Sequence, residues 1–323
     1  MTTYKEIFGK YVKNYSSDPT DDAEGQVWYN TTSGTFKSQV FVATAWASGG
    51  NMSTSRYSVG AAGIQTSALA FGGSTGPSVS TNATEEYDGT SWGPGGNMGT
   101  GRRYTSGCGT QTAGICIGGF IQSAPNTPTS AVENYNGTSW TAGTSLPIAI
   151  TDLASCGTQT AALSFGGNSS ITTTNEYNGS AWTAGGSMTT GRRYPGGAGT
   201  QTAGLAISGK TSPGALTSAS EEYDGSTWAA GGSLNTARFC LAAAGIQTAS
   251  LAFGGNAPST TGATESYDGA TWTTSPVSLT IAKSYLGGCG TQTAAFAFGG
   301  SPITASTEEY LVGALTTKTI TTS

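Results

Sequence analysis

Glutamate is the residue best suited to acid–base chemistry in this chain, because six glutamates recur at one place in a repeated pattern. Each stands one or two positions before a recurring tyrosine, and they are Glu86, Glu133, Glu176, Glu222, Glu265 and Glu309. A glycosidase needs only a pair of carboxyl groups flanking the scissile bond. A residue that occurs once in every repeat more often serves the hydrogen bonding of that repeat. The pattern therefore favours a structural role, with carboxylate catalysis as the alternative.

Arginine forms a second recurring series, at Arg56, Arg102, Arg192 and Arg238, each ten residues after a tryptophan. A guanidinium group binds carboxylate or phosphate through parallel hydrogen bonds. One interpretation is that these side chains trap acidic groups of a glycan. The other is that each arginine bonds carbonyl groups of its own and the neighbouring repeat, and the regular spacing favours this second interpretation.

Several kinds of chemistry are missing from the sequence. It contains no histidine, which removes histidine-activated nucleophiles, histidine proton shuttles and most transition-metal sites. Its five cysteines include no Cys-x-x-Cys pair suited to zinc, and they do not form the framework of a secreted disulfide protein. Glycine pairs such as Gly118-Gly119 end strands instead of opening helices, so they are not phosphate loops. We expect no metal, no cofactor, and assembly in a reducing cytoplasm.

A repeat of about 45 residues organises the chain. The glutamine of a Gln-Thr pair recurs at positions 65, 111, 159, 201, 247 and 292, a tryptophan at 46, 92, 140, 182, 228 and 272, and a tyrosine at 87, 135, 177, 223, 267 and 310. Within one repeat, residues 56–71 have the pattern of two strands joined by a turn. Two more strands are joined by Asp88-Gly89, a pair that favours a tight hairpin. No segment of the repeat has helical periodicity.

Repeated four-stranded antiparallel units are typical of a β-propeller. We predict an all-β fold, with a six-bladed propeller over residues 40–312 and a tail at 313–323. The tryptophan series begins before the first repeat, and the tyrosine series ends without a tryptophan. Residues 40–46 are therefore predicted to pair with residues 307–310 and to close the last blade, which leaves no open sheet edge. Residues 316–322 are an alternative partner for residues 307–310 in the last blade.

The segments Phe71-Gly72-Gly73 and Glu86-Tyr87-Asp88-Gly89, followed by Trp92, resemble the kelch repeat. The resemblance covers roughly residues 40–312 and implies a propeller. Two repeats depart from the pattern, because Ser208-Gly209 replaces the glycine pair and Ile150 replaces the arginine. The kelch family includes copper radical oxidases related to galactose oxidase, whose metal is held partly by histidines. A chain without histidine is not expected to share that activity.

The first 39 residues lie outside the repeat and hold nine of the 31 charged residues. Residues 25–37 predict a short hairpin with exposed aromatic side chains at Trp28 and Tyr29, too small to fold stably alone. The Trp-Tyr-Asn-x-Thr-Ser-Gly run resembles the N-terminal leader of tail-associated and fibre-like proteins of marine bacteriophages. The resemblance implies that residues 1–39 attach the protein to other virion proteins, with Trp28 and Tyr29 as anchors.

Recognition is predicted on one face of the propeller. Connections after the second and fourth strands of each repeat differ in length and sequence, and variable loops on a constant scaffold commonly carry recognition. Neutral drift explains any single loop equally well. Large side chains stand out among the small polar loop residues, and arginine pairs lie nearby. The predicted ligand-binding residues are Phe120, Lys210, Arg102, Arg103, Arg192 and Arg193.

We therefore expect a non-enzymatic phage virion structural protein, a tail fibre or fibre-like adhesin, that displays this face to a host-surface glycan in several copies per particle. One alternative is a head or tail decoration protein that contacts only virion neighbours, and another is a carboxylate-dependent glycosidase or lyase. The net charge of −5 gives no basic surface for nucleic acid. No apolar run is long enough for membrane insertion, and the N-terminus lacks the apolar core of a signal peptide.

Overall fold

The computed structural model describes residues 12–19, 25–77, 79–122 and 127–320. The chain forms two compact units. The larger unit is Trp46–Leu311, and the smaller one contains the described residues up to Ala45 and from Val312 onward. Apart from a short 3-10 helix at Asn168–Ser170, all regular structure in the described residues is β-strand. The expectation of an all-β fold is confirmed.

Six four-stranded sheets make up the larger unit, and we number the strands of each sheet from first to fourth in sheet order. Sheets 1 and 2 contain Gly60–Ile64, Ser67–Phe71, Thr84–Tyr87 and Trp92–Pro94, then Ser106–Thr110, Ala113–Ile117, Val132–Tyr135 and Trp140–Ala142. Sheets 3 and 4 contain Ala154–Gly157, Ala162–Phe165, Thr174–Tyr177 and Trp182–Ala184, then Gly196–Gly199, Gly204–Ile207, Ser220–Tyr223 and Trp228–Ala230. Sheets 5 and 6 contain Ala242–Ile246, Ala249–Phe253, Thr264–Tyr267 and Trp272–Thr274, then Gly287–Gly290, Ala295–Phe298, Thr307–Leu311 and Ala45–Ser48.

The strands of sheets 1 to 5 and the first three strands of sheet 6 pair antiparallel with their neighbours. This confirms the predicted four-stranded antiparallel repeat. Shorter strands occur in the connections, at Ser74–Gly76 with Val79–Ser80, at Arg102–Arg103 with Phe120–Ile121 and Thr127–Pro128, and at Asn256–Ala257 with Ser259–Thr260.

The turn between the third and fourth strands follows from its local sequence. Gly89 has a φ of 95°, a left-handed conformation that glycine adopts without steric cost. The Asp88 carboxylate accepts hydrogen bonds from the N–H groups of Thr90 and Ser91, both at 2.8 Å. Asn136 accepts the equivalent bonds in sheet 2. The predicted Asp-Gly turn is confirmed, and its first residue must carry a side-chain oxygen at this position.

The Gln-Thr motif is explained by hydrogen bonds between sheets. Gln111, in the first turn of sheet 2, donates from Nε2 to the carbonyl oxygens of Ala68 at 3.0 Å and Tyr87 at 2.7 Å, both in sheet 1. The same pair of bonds to the preceding sheet is made by Gln159, Gln201, Gln247 and Gln292. Gln65 of sheet 1 makes both bonds to sheet 6. Sheets 1 and 6 are thus linked as each consecutive pair is.

Apolar side chains from facing sheets form the core. Between sheets 3 and 4, Leu163 and Phe165 lie in one cluster with Tyr223 and Trp228, all at least nine-tenths buried. The rings of Phe165 and Trp228 meet edge to face, with centroids 5.0 Å apart. Full burial of one such side chain contributes roughly 1.5–3 kcal/mol. Because such clusters form between sheets, each sheet depends on its neighbours for burial.

The glycine pair that ends the second strand lies against the next sheet. A Cβ on Gly72 would lie 2.6 Å from the carbonyl oxygen of Arg102, so a larger residue there would require backbone movement. Ser208 holds the equivalent position in sheet 4, with a φ of 57°. Its Oγ accepts a hydrogen bond from the N–H of Arg238 at 2.9 Å. The serine thus binds the neighbouring backbone directly, which accommodates this departure from the repeat.

The smaller unit is a four-stranded sheet whose strands are, in order, Lys13–Tyr15, Val27–Asn30, Thr35–Val42 and Ala314–Thr319. The predicted boundaries differ from this division. Val40 pairs with Thr316, so residues 40–42 continue the N-terminal hairpin, and the described part of the C-terminal tail adds to that sheet. The strand beside Thr307–Leu311 is Ala45–Ser48, which shares only Ala45 and Trp46 with the predicted closing segment.

Candidate functional site

In each repeat, the residue two positions before the first strand of the sheet has a left-handed backbone conformation. These residues, which we name the mouth ring, are Ser58, Tyr104, Asp152, Tyr194, Cys240 and Tyr285, with φ between 53° and 63°. The conformation is uncommon for residues other than glycine and costs on the order of 1–3 kcal/mol at each position. Strain of this kind concentrates at functional sites, so the mouth ring is a candidate site.

Backbone hydrogen bonds connect the mouth ring from sheet to sheet. The N–H of Ser58 donates to the carbonyl of Tyr285 at 2.7 Å, and the N–H of Tyr285 donates to the carbonyl of Cys240 at 2.9 Å. The series continues from Cys240 to Tyr194 at 3.2 Å, from Tyr194 to Asp152 at 2.8 Å and from Asp152 to Tyr104 at 3.3 Å. These bonds fix the left-handed conformation and place the six side chains of the mouth ring, three of them tyrosines, beside one another.

A cavity of about 140 Å³, which we name the mouth cavity, lies at the mouth ring. It is lined by the six side chains of the ring and by the residues that follow them. The rings of Tyr104, Tyr194 and Tyr285 contact one another with centroids 5.7 to 6.2 Å apart. Apolar atoms of Leu153, Leu241 and other residues complete the wall. A second cavity of about 110 Å³ lies between the first strands and is lined mainly by glycine, alanine and cysteine. The larger cavity therefore combines aromatic rings with polar groups, as ligand sites commonly do.

Asp152 is the acidic side chain of the larger cavity. It is only 8% exposed, and one carboxyl oxygen accepts a hydrogen bond from Thr151 Oγ1 at 2.9 Å. Burial raises the pKa of Asp152 to about 6, against the opposing effects of hydrogen bonds from Thr151 and Tyr194 and of the Arg193 charge. A carboxyl group with a raised pKa inside a cleft is characteristic of functional sites.

Phe120 and Arg103, both predicted as ligand-binding residues, lie beside the mouth ring. The Phe120 ring is half-buried and meets Tyr104 edge-on, with centroids 6.0 Å apart. The guanidinium carbon of Arg103 lies 5.9 Å from the ring centroids of both aromatic residues. Arg103 is only 6% exposed and donates a hydrogen bond to Ser80 Oγ at 3.2 Å. It therefore fixes the position of the two rings more than it offers a free charge.

Arg193 and Lys210 provide two further cation–aromatic pairs at the mouth. The guanidinium carbon of Arg193 lies 5.7 Å from the ring centroid of Tyr194. Lys210 Nζ lies 3.7 Å from the ring centroid of Phe239, and all four side chains are half-buried. We name the set of Arg103, Phe120, Arg193, Lys210 and Phe239 the rim. Four predicted ligand-binding residues thus lie in the rim.

The other two predicted ligand-binding residues, Arg102 and Arg192, are fully buried. Arg102 donates to the carbonyl oxygens of Gly118 at 3.1 Å and Ala131 at 2.6 Å, and pairs with Glu133 at 2.7 Å. Arg192 makes the equivalent bonds and an ion pair with Glu221. Their guanidinium groups cannot reach a ligand, which corrects the expectation that they bind one. Burial of both partners of each pair accounts for the recurring arginine.

The recurring glutamates divide into two structural groups. Those two positions before the tyrosine pair with the recurring basic residue, as Glu265 does with Arg238 at 3.0 Å. Those one position before it accept a hydrogen bond from a tyrosine hydroxyl of the next sheet, as Glu222 does from Tyr267 at 2.6 Å. Sheet 3 has Ile150 and Asn175 where other sheets have the basic residue and its glutamate. Both charges are absent together, which fits a structural pair.

Trp28, predicted as an exposed anchor, is fully buried in the smaller unit, and this corrects the expectation. Its Nε1 donates a hydrogen bond to Asp18 at 3.2 Å. Tyr29 is half-buried and packs edge-on against Phe36, with ring centroids 5.1 Å apart. Phe36 is 47% exposed. The exposed aromatic residues of the strand Thr35–Val42 are therefore Phe36 and Phe41.

All five cysteines are buried free thiols. Burial raises the pKa of the Cys108 thiol to about 12, so it is not a reactive thiolate at neutral pH. No group of three or more metal-ligating side chains occurs in the described part of the chain. Within that part, no helix is long and apolar enough to span a bilayer.

No sequence signal marks the mouth ring. The residue two positions after the recurring basic residue, or after Ile150 in sheet 3, is Ser, Tyr, Asp or Cys, and the residues on either side of it vary as much. A left-handed backbone conformation at residues of these types is not visible in the sequence.

No protein-family model and no curated protein sequence matches the chain. Among solved structures, the chain is similar to one described as "Structure of YjhT", with 12% identity and a TM-score of 0.65. The likeness covers 83% of this chain and 99% of that one. The fold is β-propeller-like. At this identity the likeness concerns the fold alone, and function rests on the site.

Proposed function

We propose that the larger unit is a six-bladed, kelch-like β-propeller, in which each sheet is one blade and Ala45–Ser48 closes the ring. The bonds between sheets 1 and 6 support closure, because they repeat those between consecutive sheets. Trp92 Nε1 donates to Thr307 Oγ1 at 3.0 Å, and Trp140 Nε1 donates to Thr84 Oγ1 at 2.9 Å. A closed ring leaves no blade edge unpaired.

We further propose that the protein is a non-enzymatic virion structural protein, a tail fibre or fibre-like adhesin assembled in the host cytoplasm, that binds a host-surface glycan. The observation that carries the binding proposal is the rim and mouth ring on one face. Sugar rings present an apolar C–H face and many hydroxyl groups. Aromatic rings flanked by polar groups suit both features.

The two faces of the proposed propeller differ in what they offer a ligand. The turns between first and second strands carry exposed single apolar side chains such as Ile64 and Ile246, at 53% and 55% exposure. The opposite face carries the rim, where Phe120 and Phe239 lie beside cations. Isolated exposed apolar residues are ordinary on protein surfaces, whereas a cluster of aromatic and charged groups around a cavity is not. The rim face is therefore the proposed binding face.

The smaller unit is the proposed attachment segment. Phe36 and Phe41 are 47% and 52% exposed, and Ile320 is 43% exposed. Large apolar side chains exposed on one small sheet are suited to an interface with another protein. Attachment in several copies would raise the avidity of individually weak glycan sites. In the alternative decoration role, the same unit binds virion neighbours, and the rim binds no glycan.

The enzymatic alternative is a glycosidase or lyase acting through carboxylate and tyrosine. The mouth cavity brings Asp152 together with Tyr104 and Tyr194. A glycosidase needs two carboxyl groups about 5–10 Å apart across the bond. Asp152 is the only acidic residue among the described residues that line this cavity. A single carboxyl group supports binding without hydrolysis.

The proposed function is tested by labelling the full chain and measuring its binding to a glycan array and to host cells. The double variant Phe120→Ala, Lys210→Ala should lose at least about tenfold in affinity, because both changes remove rim contacts. Both side chains are half-buried and make cation–aromatic contacts, so we expect each change to cost about 1 kcal/mol of stability, too little to unfold the chain. Ile64→Ala with Ile246→Ala is the matched control on the opposite face.

Equal binding by the rim variant and the control would reject the glycan proposal. Absence of the protein from purified particles would reject the virion proposal separately. Release of reducing sugar or unsaturated product from the bound glycan would favour the enzymatic alternative. Recovery on particles together with no glycan binding would favour the decoration role.

A further inference from the structure

We propose that the mouth cavity is a subsite for one neutral sugar unit at the end of the bound glycan, with Asp152 and Ser58 hydrogen-bonding its hydroxyl groups and the mouth-ring tyrosines packing on its ring. The inference rests on the proposed glycan binding. It goes further by naming the residues, the ligand class and the mode of recognition.

An unpartnered hydroxyl group indicates that the cavity takes a polar ligand. Ser58 is 7% exposed, and its Oγ has no hydrogen-bond partner among the described residues. Burial of a hydroxyl group without a partner costs about 1–3 kcal/mol. Ser58 lines the same cavity as Asp152. A ligand with hydroxyl groups would satisfy both side chains.

The size of the cavity limits what enters it. Its volume of about 140 Å³ is that of roughly five water molecules, since each occupies about 30 Å³ in liquid water. One sugar unit is of this order, and a branched or internal segment of a glycan is larger. The wall includes Tyr104, Tyr194 and Tyr285 together with Leu153 and Leu241. Such a wall suits the apolar face of a single sugar ring that enters from the chain end.

The charges at the site oppose a cation at the rim and an anion inside the cavity. Arg103, Arg193 and Lys210 lie in the rim, so a cation approaching the cavity is repelled. These cations attract an anion to the rim, but the ionised Asp152 carboxylate repels it from the cavity itself. A neutral group with several hydroxyls meets neither repulsion. Its hydroxyls can donate to the carboxylate and accept from Ser58.

Binding should depend on the protonation of Asp152. The titratable or charged groups that act on it are Arg193 and Tyr194 of sheet 4, Tyr104 of sheet 2 and Cys240 of sheet 5. Burial raises the pKa of Asp152 to about 6. The ionised carboxylate accepts hydrogen bonds through both oxygens, whereas the protonated form loses part of this capacity. Affinity should therefore fall by about tenfold between about pH 7.5 and about pH 5.

The test uses the full chain and methyl glycosides of glucose, galactose, mannose, N-acetylglucosamine, fucose and rhamnose, with binding measured by calorimetry and ligand-observed NMR. At least one glycoside should bind, and Asp152→Asn should weaken it by about tenfold through loss of a charge-assisted bond. Ser58→Gly, which keeps the left-handed backbone, should weaken it less. Asp88→Asn is the matched control, because asparagine holds the equivalent turn position in sheet 2.

Several outcomes would overturn the inference. It fails if none of the six glycosides binds, if choline or glucuronate binds better than all of them, or if affinity is unchanged in Asp152→Asn and across the pH range. If Asp152→Asn does not fold, Ser58→Gly and the pH series decide. Loss of array binding in the rim variant, with no effect of Asp152→Asn or Ser58→Gly, would reject the subsite and retain the proposed function. If neither the rim variant nor the two mouth-ring variants lose binding, the subsite and the proposed glycan binding are both rejected.

Discussion

Replacing Arg102 with isoleucine is predicted to lower the free energy of unfolding substantially. The side chain is fully buried and makes three hydrogen bonds, including the ion pair with Glu133 at 2.7 Å. Glu133 would remain buried with its charge uncompensated, because its other oxygen is held by the N–H of Gly99. Removal of one partner from a buried ion pair costs about 3–5 kcal/mol. We expect a loss of this size for Arg102→Ile.

The chain supplies its own compensating change. Sheet 3 has Ile150 and Asn175 at the positions of Arg102 and Glu133, and its four strands form as they do elsewhere. A buried ion pair replaced by uncharged residues of similar size often costs little or nothing. The double variant Arg102→Ile, Glu133→Asn should therefore recover at least about 2 kcal/mol relative to Arg102→Ile alone.

The assay is urea unfolding of the full chain at neutral pH, followed by tryptophan fluorescence and circular dichroism. Arg193→Ile serves as a matched control, because Arg193 forms no ion pair among the described residues and should cost less than about 1 kcal/mol. A single variant as stable as the control, or a double variant less stable than the single one, would refute the proposed role of the pair.

Three further predictions concern stability. Burial raises the Asp152 pKa to about 6, so native Asp152 retains its proton more readily than the unfolded chain does, and its contribution becomes unfavourable as pH rises from about 4 to about 6. Asp152→Asn should therefore raise stability at pH 7 by up to about 3 kcal/mol and have little effect at pH 4, measured by urea unfolding. Tyr267→Phe should cost about 1–2 kcal/mol in the same assay, because Glu222 and the N–H of Gly232 lose their partner. Deletion of residues 1–48 should expose the edge of Thr307–Leu311 and cause aggregation in light scattering, and a soluble monomer would contradict closure.

The strands and turns could be predicted because their signals are local and repeated. Asp88-Gly89 specifies its turn through one side-chain oxygen and one left-handed glycine, and each requirement is visible in the sequence. The pairing of Val40 with Thr316 could not be predicted in this way, because it joins the two ends of the chain and no repeat marks it. The same strand order makes the N-terminal hairpin part of a larger sheet. Trp28 is accordingly buried instead of exposed.

The candidate site was only partly predictable from sequence. Phe120 and Lys210 stand out by residue type in their loops, and the structure brings them to the same mouth. Tyr104 and Asp152 gave no such signal, because residue type does not reveal a left-handed backbone at a tyrosine or an aspartate. Their common position becomes apparent only when repeats are superimposed in space. The joint replacement of Arg and Glu in sheet 3 was visible in the sequence and indicates the ion pair.

Glycan binding on the face formed by the rim and the mouth ring can be located directly by hydrogen–deuterium exchange, measured with and without the best-binding glycan of the array. We expect protection in peptides containing Ser58, Tyr104, Asp152 and Tyr194, and unchanged exchange in the turns at Ile64 and in the smaller unit. Protection at those turns or in the smaller unit, or no protection anywhere, would contradict binding on this face.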